Sequence, residues 1–253
     1  MKAFAVSVAA FSILGLSNVV ASAGTVSTEL TGSSSTTAVS GVGGTNRTLS
    51  KASSTNQAIY GAEMSERSDD PCFLRLKYRN VATGSVGSSL DFAECDDNNN
   101  DEGKDISRRY LSLPAGTFVT GARICLNSGG DKLKGLQLIG GYGACFLGEE
   151  KVYGVAAPCS RVFKAGGQEY RICDPDQPNY VTLDCRTAGV SDHFERTNCP
   201  GADGGPDADW ERVVSCPDRM AATGMKLSTR DSGGGGTMID GIALVCHRMD
   251  LPG

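Results

Sequence analysis

The sequence predicts an all-β body stapled by disulfides, and three observations carry that prediction. Glycine fills 33 of 253 positions, well above the usual share, and glycine disfavours helices because it has the most backbone entropy to lose. Apolar and polar residues alternate in short runs between clusters of Gly, Pro, Asn and Asp, the pattern of half-buried strands joined by turns. The chain has 10 cysteines, no Cys-x-x-Cys pair and only 2 histidines, which fits disulfides formed in an oxidising compartment and not a structural zinc site.

Taken in chain order, residues 1–23 read as a secretory signal peptide. Lys2 is followed by an apolar run from Ala3 to Leu16, and Ala21-Ser22-Ala23 places small residues at a peptidase site. The run is interrupted by Ser7, Ser12 and Gly15 and falls short of the roughly 20 apolar residues that a membrane span requires. The mature chain is therefore expected to be extracellular, with no membrane span. Residues 24–69 read as a disordered, low-complexity linker rich in Ser, Thr, Gly and Ala, because such a composition buries too little apolar surface to offset its ordering entropy. Asn46-Arg47-Thr48 within it is a glycosylation sequon in a eukaryotic host.

The β-rich domain is expected over 70–253. Leu74, Leu76 and Tyr78 alternate with Arg75, Lys77 and Arg79, which sets the first strand. Similar segments follow at 118–126, 133–139, 180–186, 220–228 and 239–247, each bounded by turn residues. Two phrases recur among them. Pro114, Thr120 and Gly121 match Pro217, Thr223 and Gly224 in spacing, and Leu133-Lys134-Gly135-Leu136-Gln137-Leu138 matches Ile239-Asp240-Gly241-Ile242-Ala243-Leu244. Two copies of one β unit, at about 110–142 and 213–247, are the reading. A third, degenerate unit is sought between Tyr153 and Cys199. In the first copy Leu113 and Gly140 stand where the second has Cys216 and Cys246, and this paired absence predicts a Cys216–Cys246 bridge. Cys125 and Cys145 are assigned as the matching clasp of the first copy.

The order Cys216-Pro217, Thr223-Gly224, a Gly-rich loop, Ile239 to Leu244 and a closing Cys246 resembles the repeat of the vitelline membrane outer layer protein 1 family. The match spans about 30 residues in the second copy and fewer in the first. The resemblance implies a β-prism of repeated Greek-key sheets, an extracellular coat or glycan-binding role, and no agreed catalytic set. This sequence departs from the family by showing two clear repeats instead of three.

A net charge of −5 gives no global attraction for nucleic acid. No catalytic residue is assigned: Asp231-Ser232-Gly233-Gly234 resembles a serine-protease nucleophile segment, but Arg230 precedes it and His193 is the only earlier histidine. Tyr142 among glycines, and Trp210 close to Asp207 and Asp209, are the candidate ligand-binding residues, since glycan sites combine an aromatic platform with carboxylates. Asp97, Asn99 and Asp101 lie in the densest run of oxygen ligands and form a candidate calcium loop, although the spacing misses the EF-hand pattern. Arg75, Lys77 and Arg79 offer a basic face to acidic sugars. Arg47-Thr48-Leu49-Ser50 followed by Ser65-Glu66-Arg67 resembles the translocation motifs of oomycete effectors, with departures in both. The functional expectation is a secreted, non-catalytic protein that binds carbohydrate or extracellular coat components, using no cofactor other than calcium. The alternatives are a secreted hydrolase acting on polysaccharide or peptide, and a secreted pathogen effector.

Overall fold

The alternation over 74–79 is realised in a strand: Leu74, Leu76 and Tyr78 are buried, while the cations between them stay partly exposed. In a computed structural model, the structure describes residues 25–67, 70–95, 109–142, 151–154, 161–165, 168–172, 181–184, 190–193, 199, 208–231 and 236–250. Apart from one 3-10 turn at Ser53–Thr55, their regular elements are strands. None contains a helix long and apolar enough to cross a membrane.

The N-terminal segment forms β1 (Thr25–Ser27), β2 (Glu29–Thr36), β3 (Ser40–Gly41) and β4 (Thr45–Ser50). Next come β5 (Gln57–Arg67), β6 (Asp70–Asn80), β7 (Leu90–Ala93) and β8 (Arg109–Ser112). The hairpin of β9 (Thr117–Asn127) and β10 (Leu133–Tyr142) is followed by β11 (Lys151–Gly154), β12 (Arg161–Ala165), β13 (Gln168–Ile172), β14 (Val181–Asp184) and β15 (Val190–His193). The chain closes with β16 (Ala208–Trp210), β17 (Val214–Ser215), β18 (Met220–Asp231) and β19 (Thr237–Asp250).

Three sheets share one plan. Sheet I runs β2-β19-β18-β4, sheet II β7-β6-β5-β8 and sheet III β15-β10-β9-β16, with β3 also beside β19 and β17 also beside β9. Each centres on a long antiparallel hairpin flanked by shorter strands; sheets II and III have the fourth-first-second-third order of a Greek key, and sheet I has the same arrangement with the start of the chain supplying its third and fourth strands, β2 and β4. The central strands of the three sheets meet pairwise around one core, which includes Ile59, Met64 and Leu76 from sheet II, Ile124, Leu136 and Leu138 from sheet III, and Met225, Leu227 and Leu244 from sheet I. This is a β-prism. Small sheets β1-β12-β13 and β11-β14 complete the described strands.

The repeated phrases now have a mechanical meaning. Each central hairpin carries one extra residue in its first strand, Tyr60, Thr120 or Thr223, followed by Gly61, Gly121 or Gly224. The extra residue's carbonyl accepts the backbone N–H of Leu113 (2.8 Å), Cys216 (2.8 Å) or Lys51 (3.0 Å), in each case the residue just after a short strand on that edge, β8, β17 or β4. Two of these glycines are required by close approach: a Cβ on Gly61 would lie 2.5 Å from the Leu111 carbonyl, and one on Gly224 2.4 Å from the Leu49 carbonyl, while one on Gly121 would meet the Ser215 hydroxyl at 3.2 Å. The chain then turns into the first strand of the next sheet through a residue of positive φ, Gly116 (77°), Arg219 (63°) or Asn56 (53°). Those three residues occupy one structural position.

Two expectations about organisation are corrected. Residues 24–69 are no linker: β2 and β4 are the outer strands of sheet I, and β5 is the first strand of sheet II. The composition misleads because the exposure pattern of β4 leaves Leu49 alone partly covered and Thr suits strands. The third repeat lies in β5–β6 and not between Tyr153 and Cys199. It lacks the proline of the other copies and has Tyr60 where they have Thr, so only Gly61 keeps the phrase visible.

Three disulfides join described residues: Cys72–Cys95, Cys125–Cys199 and Cys216–Cys246. Cys125 therefore does not pair with Cys145, which lies outside the described residues. Its partner, Cys199, precedes β16 in sequence and is bonded to the residue of β9 that lies opposite Trp210. Cys199 falls outside both repeat phrases, which is why comparing them does not reveal it. Residues 1–23, read from the sequence as a signal peptide, also lie outside the described ones.

Candidate functional site

Prism edges bring a sheet's outer strand to the next sheet: β4 to β7 and β8 to β15, while Arg212, between β16 and β17, meets Val39 and Ser40. Two of these seams differ in what fills them. Between sheets III and I, Ser40 is fully buried; its Oγ donates to the Arg212 carbonyl (2.9 Å) and accepts from the Ile124 N–H (3.3 Å). Arg212 donates from Nε and Nη2 to the Val39 carbonyl at 3.2 and 3.1 Å. Gly41, at φ 91°, fits there because a Cβ would meet the Asp240 carbonyl at 2.5 Å. This seam is zipped shut.

Between sheets I and II lies a groove of about 670 Å³, walled by Asn46, Arg47, Thr48 and Leu49 of β4 and by Asp91, Phe92, Ala93 and Glu94 at β7. Strand alternation explains the lining: Phe92 turns into the core while Asp91 faces outward, and on β4 only Leu49 packs inward. Arg47 spans the groove to Glu94 at 3.3 Å. Asp91 is held by Arg75, whose Nε and Nη2 donate to its two oxygens at 2.9 and 2.7 Å, a bidentate geometry that fixes the carboxylate plane. Among the described residues no strand pairs with the outer edge of β4 or of β7, so edge backbone groups face the same space. The lining presents amide, hydroxyl and guanidinium donors with carboxylate and amide acceptors, a set suited to pairs of hydroxyls. Its formal charge, Arg47 against Asp91 and Glu94, does not favour an anion.

A second polar cluster joins the β9–β10 turn to sheet I. Arg230 Nη2 lies 2.9 Å from Asp131 Oδ2 and also donates to the Asp131 carbonyl, while its Nε lies 3.6 Å from Asp240 Oδ2. Hydrogen bonding from Asn127, with Arg230 adding to it, holds the Asp131 carboxyl below its usual range. Burial pushes Asp240 up against the opposing pull of Arg230. Opposed shifts in neighbouring carboxylates are what acid–base pairs show, but here an arginine sits between the two and Asp240 is only 1% exposed. The geometry is that of an inter-sheet lock. His247 is likewise structural: half-buried, with Nδ1 2.7 Å from Thr223 Oγ1 in the bulge, and its pKa is lowered by desolvation.

The residues singled out from the sequence do not gather. Tyr142 ends β10 opposite Thr117, whereas Trp210 in β16 lies opposite Cys125, so roughly 26 Å of β9 separates their positions at the rise of a strand. A common platform of Tyr142 and Trp210 is therefore excluded. Trp210 packs against the Cys125–Cys199 bridge with the Arg123 guanidinium 4.7 Å from its ring. Asp209 lies opposite Leu126 in the ladder. Asp207, Asp97, Asn99, Asp101 and Ser232 lie outside the described residues. Among the described ones no three His, Cys, Asp or Glu side chains gather as a metal site. Sequence reasoning missed Arg47 by placing it in a linker and missed Asp91, although Leu90-Asp91-Phe92-Ala93 carries the alternation that turns an aspartate outward.

No family model and no curated protein sequence matches this chain. Among solved structures, the crystal structure of Calystegia sepium agglutinin aligns over 86% of this chain and 99% of its own, at 7% identity and a TM-score of 0.33. The prism assignment rests on the three Greek-key sheets themselves.

Proposed function

We propose that this is a secreted, non-catalytic protein that binds neutral carbohydrate in the open seam between β4 and β7. The observation that carries the reading is the groove itself: where the seam at Ser40 and Arg212 is closed by hydrogen bonds, this one keeps a cavity lined by ion-paired planar groups. Ion pairing pre-orients these groups, so little ordering entropy remains to be lost on binding. Donor and acceptor pairs then meet adjacent hydroxyls. Extracellular placement is supported by the disulfides and by the leader-like residues 1–23. A coat or matrix role follows the resemblance of the repeat phrase to the vitelline membrane outer layer protein 1 family. Calcium at Asp97, Asn99 and Asp101 belongs to the same reading, because that run follows directly in sequence on the groove wall.

The test is a glycan array probed with the oxidised mature chain, made in a host that does not N-glycosylate Asn46, with calcium and with EDTA. Selective binding to neutral glycans, lost in Arg47→Ala and Asp91→Asn, is the expected result. Loss in EDTA would assign the Asp97 run to a metal. Binding that survives both substitutions would overturn the groove as the site.

A further inference from the structure

We propose that the outer face of sheet II is a second binding surface, distinct from the groove, that takes an acidic polysaccharide whose sugar rings lie on Tyr60 and Tyr110 and whose carboxylates meet Lys77 and Arg79. The face is built by alternation on β6, which turns Arg75, Lys77 and Arg79 outward while Leu74, Leu76 and Tyr78 fill the core. Across the ladder, Glu63 of β5 lies opposite Arg75 and Gly61 opposite Lys77, while Tyr110 of β8 lies opposite Glu63.

The cations differ in how they are occupied. Arg75 is committed to Asp91 and lies 3.7 Å from the buried Glu63. Lys77 lies 3.8 Å from Glu63 and 4.9 Å from the centre of the Tyr110 ring. Arg79 has no carboxylate partner among the described residues; it stacks 4.3 Å from the centre of Tyr60 and reaches the Pro114 carbonyl at 3.5 Å. Three cations against Glu63 and Asp91 leave the face positive in a chain of net charge −5.

The apolar features point the same way. Tyr110 is 58% exposed and Val86, bridged to Arg79, is 69% exposed, two of the few large apolar side chains left open to solvent among the described residues. Between the two tyrosines the ladder is glycine, so Gly61 leaves a dip with no side chain. Tyr60 and the position opposite Tyr110 are three residues apart on β5, roughly 10 Å at the rise of a strand, a span of about two pyranose rings. A ligand complementary to this face has apolar C–H surfaces for the rings and regularly spaced negative charge for the cations. A uronate-containing chain has both, whereas a neutral glycan leaves Arg79 unmatched and a bare phosphate leaves the tyrosines unused.

The experiment is calorimetric titration of the oxidised full mature chain with an oligogalacturonate of defined length, its methyl ester, a sulfated oligosaccharide, and vesicles containing phosphatidylserine. The expected result is binding of the oligogalacturonate, with the methyl ester and the Arg79→Gln variant each weaker by about tenfold, the scale of one charge-assisted contact. Tyr110→Ala, at an exposed position, should weaken binding while leaving the melting temperature in place. Affinity should fall as salt rises. Binding of the sulfated chain as well would widen the ligand to anionic sugars in general and support the surface. Equal binding of acid and ester, or no effect of Arg79→Gln, would overturn it, as would Arg79-dependent binding to vesicles but not to sugars. Arg47→Ala empties the groove and not this face, so failure here and failure of the groove reading are separable.

Discussion

The seam between sheets III and I and the seam between sheets I and II are built from the same two strand positions, yet one is filled and the other is open. In the first, the buried Ser40 hydroxyl joins the Arg212 carbonyl to the Ile124 amide, so a polar group buried in the seam has its partners. In the second, Arg47 and Glu94 meet at 3.3 Å across a groove with side chains 58% and 34% exposed, an arrangement that contributes little to stability. Symmetry of fold thus divides labour. One edge is closed by hydrogen bonds from Ser40 and Arg212, and another keeps an open groove.

The widest break in that comparison is to remove the segment that builds both seams. A chain beginning at Asp70 lacks β2, β3, β4 and β5, and it is expected to show no cooperative thermal transition by circular dichroism. A narrower break is Gly224→Ala, which places a Cβ 2.3 Å from the Ser50 side chain and 2.4 Å from the Leu49 carbonyl. It should cost about 1–3 kcal/mol in urea unfolding, while Gly32→Ala, with nothing within 4 Å, should shift stability by less than about 0.5 kcal/mol. Ser40→Ala leaves the Ile124 amide buried without its partner, and the expected loss is about 1–3 kcal/mol.

The smallest effect is one of pH. Burial lowers the His247 pKa, so between its folded and unfolded values the unfolded chain binds more protons. Stability is therefore complete above the unfolded value of about 6.5 and is lost as the pH falls from there through the folded value. His247→Gln should flatten that part of the stability profile; an unchanged profile would assign the slope elsewhere.

Much of the prism is legible in the sequence where a residue type answers a local steric demand. Thr-Gly in two copies marks a bulge and a close approach, alternation over 74–79 marks a two-faced strand, and the paired absence of cysteines at Leu113 and Gly140 points to Cys216 with Cys246, which the structure joins. What is not legible depends on long-range partnership. The segment 24–69 looks disordered because outer strands of a Greek key need only one or two inward residues, such as Leu30 and Leu49, and borrow their remaining burial from a hairpin nearly 200 residues away. The third repeat is hidden for a related reason: backbone geometry requires Gly61 but accepts Tyr60 in place of threonine. That Tyr142 and Trp210 lie far apart is equally hidden, because residue type suggests an aromatic platform whereas strand register decides whether two side chains meet.

The measurement that bears most directly on the division between seams compares Ser40→Ala and Arg47→Ala in one experiment, reading melting temperature and affinity for the strongest neutral glycan on the array. The account predicts that Ser40→Ala lowers the melting temperature, by about 2–4 °C for each kcal/mol lost, and leaves affinity intact. Arg47→Ala should do the reverse, weakening binding about tenfold with the melting temperature unchanged. If Arg47→Ala binds as tightly as the parent chain, or if Ser40→Ala abolishes binding while leaving stability unaltered, the open seam is not the site and the account is wrong.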